Sequence, residues 1–257
     1  MIRKIFGSKQ RKHAGIRWRA HDIYRIEALS DAVFAFAVTL LVVSLEVPKT
    51  FHELYASLFP GIIGFAIGFL FLMLIRHDHY LFFRMYGLKD TTTIFWTCVL
   101  LFVVLFYIYP TKFLFTLMFS GTGIIEEHGV MVKMIESADE WRKLMMLYGF
   151  GFSMVYFTLW QLYHHAFKMR EHLKLTPVEV FLTKSSEFHQ LAMCAIGCLS
   201  FGLAYFLPPE KCGNAGMIFM LIWPVLTILH TIRRKQLNSK FSAEEILKHT
   251  EHLNEKP

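Results

Sequence analysis

Arg25-Ile-Glu-Ala-Leu-Ser-Asp31 leads directly into a mainly apolar stretch from Ala32 to Val47. The stretch is long enough for a membrane helix, and it opens with an arginine, a serine and an aspartate at its mouth. A carboxylate at such a place is costly unless it is paired, so the string calls for partners. On a helix, Arg25 and Leu29 are one turn apart, which brings the arginine near the face carrying Ser30 and Asp31. An arginine there can clamp a carboxylate or donate to free carbonyls. Asp31 can accept from helix amides or a neighbouring helix, and Ser30 can donate and accept. One reading makes the triplet glue between spans; the other gives Asp31 direct contact with an ion. Under the first, Asp31→Ala costs roughly 1–3 kcal/mol.

The rest of the chain follows the same pattern. It has 257 residues, of which 18% are charged and 26 are phenylalanine. Its mean hydropathy is +0.41. A soluble domain carries about 25% charged residues. The apolar residues also gather into long runs, which decides for membrane helices over a soluble core. Six spans are predicted, at about 29–47, 58–75, 94–117, 145–167, 189–207 and 214–232, each near the ~20 residues that cross the hydrocarbon. Pro110 is expected to kink or end the third. The segment about 118–143 is the longest connection, rich in acidic residues, and its middle is expected to form a short helix.

Of the 27 Lys and Arg residues, 21 fall in the N-terminal segment, the 76–90 and 168–184 loops and the C-terminal tail. That bias predicts a multi-pass protein of the cell membrane with both termini cytoplasmic. It also accounts for the +7 net charge and pI near 9.2. The basic residues flank spans rather than line one face, so nucleic acid is not an expected partner. No cleaved signal is read at the N-terminus. Ile16 to Tyr24 is expected to lie along the membrane surface. Ser242-Ala-Glu-Glu245 reads as the capping box of a short amphipathic helix. Cysteines 98, 194, 198 and 212 suggest neither a disulfide framework nor a zinc site. No nucleotide-binding, metalloprotease or nucleophile-elbow pattern occurs, so neither an enzyme nor a cofactor is expected.

Three motifs together resemble the transmembrane-protein-175 family of potassium channels, in its prokaryotic form with a single six-helix repeat. The first is Arg25, three variable residues, then Ser30 and Asp31, with Leu29 where the family has phenylalanine. The second is Ile75-Arg-His-Asp-His-Tyr80, read as the end of the second span, where His77 or His79 fits the family's histidine-rich position. The third is Tyr109-Pro-Thr-Lys112. His77 and His79 alternate with Asp78, but helix positions i and i+2 diverge, so a metal site lacks a partner. A hydrogen bond from a histidine to Asp31 or Ser30 is the better expectation.

The resemblance implies an all-α membrane protein of six transmembrane helices, with the first helix lining a central pore in a homotetramer. It implies a potassium-permeable channel whose partners are potassium and other monovalent cations, the lipid bilayer and copies of itself. By position from Asp31, the narrowest ring falls at Phe36, with Leu40 and Val43 above it and Thr39 adding a hydroxyl. Phe36 is bulkier than the isoleucine or leucine expected there. Residues 1–24 form a basic cytoplasmic segment, 25–232 the six-span domain, and 233–257 the cytoplasmic tail. The alternative is a secondary transporter or proton-conducting protein using Asp31, Glu27, Glu46 and the span-end histidines, although none of these carboxylates sits at mid-depth. His164 and His165 are expected to be interfacial.

Overall fold

Backbone amides in hydrocarbon have no water to bond, so a chain this apolar satisfies them within helices. The computed structural model describes residues 19, 24–43, 51–119, 124–127, 130–133, 135–208 and 212–241. Helix α1 spans Arg25–Val43, α2 Phe51–Tyr86, α3 Thr91–Phe119, α4 Ala138–Lys168 and α5 Pro177–Phe206. A short α6 (Gly213–Met217) and a 3-10 turn (Ile218–Leu221) lead into α7 (Ile222–Lys240).

Local chemistry sets the boundaries. Ser137 caps α4 by accepting from the Glu140 amide. Thr176 and Glu179 form a reciprocal capping box at the start of α5, followed by Pro177 in the first turn. Gly87 adopts φ 59° just after α2, a conformation that side chains disfavour, and so turns the chain toward α3.

Among the described residues, four helices are long and apolar enough to cross a bilayer: Ile62–Tyr86, Thr91–Thr111, Pro177–Phe206 and Ala215–Leu237. The other two expected spans lie in α1 and α4. Both are helical but more charged: α1 carries Arg25, Glu27 and Asp31, and α4 opens with Asp139, Glu140, Arg142 and Lys143.

Three expectations are corrected. First, the Ile75–Tyr80 string is not a helix end. It lies inside α2, which continues to Tyr86 because Leu81, Phe82 and Phe83 carry on its buried apolar face. Second, of the two outcomes expected at Pro110, a kink or an end, the helix does not end there: α3 continues to Phe119. Beside the proline, the Thr111 hydroxyl donates to the Tyr107 carbonyl at 2.8 Å, within the same helix. Third, the long connection between α3 and α4 holds an antiparallel hairpin rather than a short helix. Its strands, β1 (Ile124–Glu127) and β2 (Val130–Lys133), pair Ile124 with Lys133 and Glu127 with Val130. Its Ile and Val residues favour the extended backbone. The stretch 16–24 expected along the membrane surface, apart from Arg19 and Tyr24, and the capping box at 242–245 lie outside the described residues.

Helices α4 and α5 form the closest pair. A methyl group on Gly197 would sit 2.5 Å from Ser153 Oγ, and one on Gly149 would sit 2.6 Å from the Phe201 nitrogen. Small residues at such points let membrane helices approach. Helix α1 packs chiefly on α2 and α3.

Candidate functional site

Helix α1 has two unlike faces. Glu27, Ser30, Phe34, Ala37 and Leu41 are buried. Their spacing alternates three and four residues, one stripe of a helix. Phe34 lies against His79 of α2, with ring centroids 6.0 Å apart. The other face is uncovered within the subunit. Leu29 is 50% exposed, Phe36 55% and Leu40 38%. Thr39 shares this face, but its hydroxyl turns back to the Ala35 and Phe36 carbonyls, each at 2.9 Å. Val43 ends the helix, and its side chain lies outside the described residues.

The charged mouth of α1 is wired differently from the sequence reading. Arg25 is exposed, and no bond among the described residues ties it to Ser30 or Asp31. The cation on Asp31 is Arg76 of α2, whose Nη2 donates to Oδ1 at 2.9 Å. Ser30 donates to the Ile26 carbonyl at 2.8 Å, within its own helix. These bonds tie Asp31 to an arginine of α2 and Ser30 to its own helix. Successive residues on a helix diverge by about 100°. That directs Arg76 to Asp31, leaves His77 exposed, and buries His79 between Phe34 and Phe83.

Glu27, raised from the sequence only as a carboxylate of the transporter alternative, is the buried carboxylate of this region. It is 3% exposed and lies 3.5 Å from Arg84 Nη2. Its other oxygen accepts from the Tyr24 amide at 3.4 Å. The signal was present, since Glu27 lies on the same stripe as Ser30 and Phe34.

Further pairs gather at this end of the bundle. Arg19 binds Glu179 at 2.6 Å. His165 Nε2 lies 2.8 Å from Asp90, and His164 Nδ1 lies 2.7 Å from Glu187. His164 also stacks on Trp160 at 5.3 Å. The two histidines, expected only to be interfacial, thus join α4 to the α2–α3 turn and to α5. Partial burial pushes the Asp90 carboxyl up. The Thr93 hydroxyl, the charge of His165 and the Thr93 amide outweigh it and hold the pKa below the usual value.

The sequence profile of the family described as "Endosomal/lysosomal potassium channel TMEM175" matches residues 25–107. A potassium channel from Marivirga tractuosa is 36% identical over 246 residues, covering 91% of this chain and 97% of the relative. The chain belongs to the TMEM175 family of potassium channels. Members of this family are channels, not enzymes, and the apolar helices make this TMEM175 chain a multi-pass membrane protein. A solved variant of the potassium channel MtTMEM175, in complex with a Nanobody-MBP fusion protein, aligns with a TM-score of 0.75 and 33% identity, over 87% of this chain and 99% of that one. A lysosomal potassium-selective channel TMEM175 homolog from Chamaesiphon minutus shares the fold, with a TM-score of 0.50 and 20% identity over 83% of this chain and 97% of that one. The profile match covers α1, α2 and most of α3, the helices that carry the motif residues.

Proposed function

We propose that this chain is a potassium-permeable cation channel of the cell membrane, built as a homotetramer of six-span subunits. Four copies of α1 surround the pore. The observation that carries the reading is the uncovered apolar face of α1: Phe36 and Leu40 are exposed while Phe34, Ala37 and Leu41 on the reverse side are buried. A helix packed this way has one face committed to its own subunit and one left for the axis. Phe36 forms the narrowest ring, Leu40 and Val43 continue it, and Thr39 supplies the polar break. An apolar constriction of this kind gates by excluding water. Arg25, Ser30, Asp31 and His77 form the structural motif at its mouth, where the Asp31–Arg76 pair joins α1 to α2.

Both termini are cytoplasmic in this reading. Arg19 reaches the end of α2 and the α4–α5 turn, and Phe241 after α7 lies against Phe181 of α5, so these basic-rich ends share one side, which the lysine and arginine bias assigns to the cytoplasm in this reading. A transporter or proton pathway would use the α1 carboxylates as carriers. Glu27 and Asp31 are each within ion-pair distance of an arginine at the helix mouth, which favours the channel.

The test is flux through purified protein in liposomes, comparing potassium, sodium and protons, with the mass of the detergent-extracted assembly measured in parallel. A tetramer that passes potassium is expected. Phe36→Ala raises flux and lowers discrimination between potassium and sodium, whereas Phe34→Ala leaves both unchanged in the protein that folds. An active monomer or dimer, or the reverse mutant pattern, refutes the shared pore or its face.

A further inference from the structure

We infer that Arg19 is a positioning residue that fixes the base of α1 and so sets how often the pore opens; this rests on the pore reading above. Helix α1 packs chiefly on α2 and α3, yet Arg19, ahead of it in sequence, reaches the other half of the subunit. Its backbone amide donates to the Arg84 carbonyl at 3.0 Å. Its Nε donates to the Leu173 carbonyl at 3.3 Å and its Nη1 to the Met85 carbonyl at 3.4 Å. Its Nη2 donates to Glu179 Oε2 at 2.6 Å. One side chain therefore joins the end of α2, the α4–α5 turn and the start of α5.

The receiving carboxylate is built in. Glu179 is 1% exposed, and the same Oε2 accepts from the Thr176 amide at 3.0 Å. A buried carboxylate held by a capping box cannot follow a moving partner, so the guanidinium is fixed to a rigid point. The other end of the link is fixed to α1. Tyr24 accepts from the Ala28 amide, its own amide donates to Glu27, and Lys89 Nζ lies 4.1 Å from the centre of its ring. The base of α1 is leashed toward α5 through Arg84, whose carbonyl accepts from the Arg19 amide and whose side chain meets Glu27, although α1 and α5 do not pack together closely. Without the Arg19 side chain, the base keeps the Glu27–Arg84 and Asp31–Arg76 pairs, the Lys89–Tyr24 contact and its packing on α2 and α3, but loses the anchor on Glu179 and Leu173.

The test uses the full-length protein and the variants Arg19→Ala and Arg19→Lys. Hydrogen exchange of residues 25–31 reports the leash, and single-channel recording in a bilayer reports the gate. Arg19→Ala is expected to speed exchange in that segment, with α5 unchanged, and to raise open probability roughly tenfold, the bias one charge-assisted bond places on a two-state equilibrium. Unitary conductance stays the same, because the constriction is untouched. Arg19→Lys restores the ion pair to Glu179 without the fork of donors and falls between. Faster exchange with unchanged open probability would overturn the gating role, and unchanged exchange would overturn the leash. If the wild-type protein passes no potassium, the pore reading and the gating role both fail, while exchange still decides the leash.

Discussion

Removing the Glu27 carboxylate is the sharpest test of how the mouth of α1 is held. Glu27→Ala leaves Arg84 with its side chain only 13% exposed and its anionic partner gone. At the observed 3.5 Å separation, with an effective dielectric near 20, the lost attraction is about 5 kcal/mol. Arg84 keeps a contact over the Tyr80 ring at 5.2 Å, which offsets part of the loss. The expected net cost is about 3 kcal/mol, at the low end of what breaking a buried pair costs. Replacing both members by apolar residues of similar length, Glu27→Leu with Arg84→Met, removes the two desolvation penalties along with the attraction. That double variant is expected to fall within about 1 kcal/mol of wild type. Asp31→Ala provides the contrast. Its pair with Arg76 is 47% and 38% exposed in the subunit, so it is worth about 0–1 kcal/mol, less than the sequence alone suggested. Equilibrium unfolding in mixed micelles, titrated with denaturing detergent, measures all four proteins. A Glu27→Ala protein as stable as wild type, or a double variant no better than the single, would refute the argument.

Phe34→Ala empties a site 1% exposed and is expected to cost about 3 kcal/mol in the same unfolding assay, while Phe36→Ala is neutral there. Gly149→Ala places a methyl group 2.6 Å from the backbone of α5 and is expected to cost about 1–3 kcal/mol; Gly202→Ala, with nothing within 4 Å, is neutral or slightly stabilising. Asp90 has a folded pKa below its unfolded value of 3.8, so its contribution is complete above that value and is lost as pH falls through the folded pKa. The unfolding midpoint of wild type is expected to drop on acidification below about pH 4 more steeply than that of Asp90→Asn.

Much of the architecture was legible because hydrocarbon leaves the chain few options. Long apolar runs located every long helix. Partner choice was less legible. Arg25 lies in the motif string, yet the carboxylate it precedes is met by Arg76, because tertiary packing delivers a cation from another helix. Glu27 was read only as a carboxylate of the transporter alternative, because its partner Arg84 comes from another helix. Helix α2 was ended too early at Tyr80, and Pro110 left a kink or an end open; hydropathy falls or a breaker occurs there, but the packed face continues through Phe83 and Leu117. The hairpin between α3 and α4 was missed because its acidic residues masked two runs of β-branched residues.

The stack of Trp160 on His164 has an optical consequence. An indole's emission responds to a ring stacked on it, and these two rings are 5.3 Å apart at the junction where His164 meets Glu187. The chain holds five tryptophans, so the difference in emission between wild type and Trp160→Phe isolates this one. Its emission reports how closely α4 holds this ring stack beside α5, in the intact protein and without an added dye.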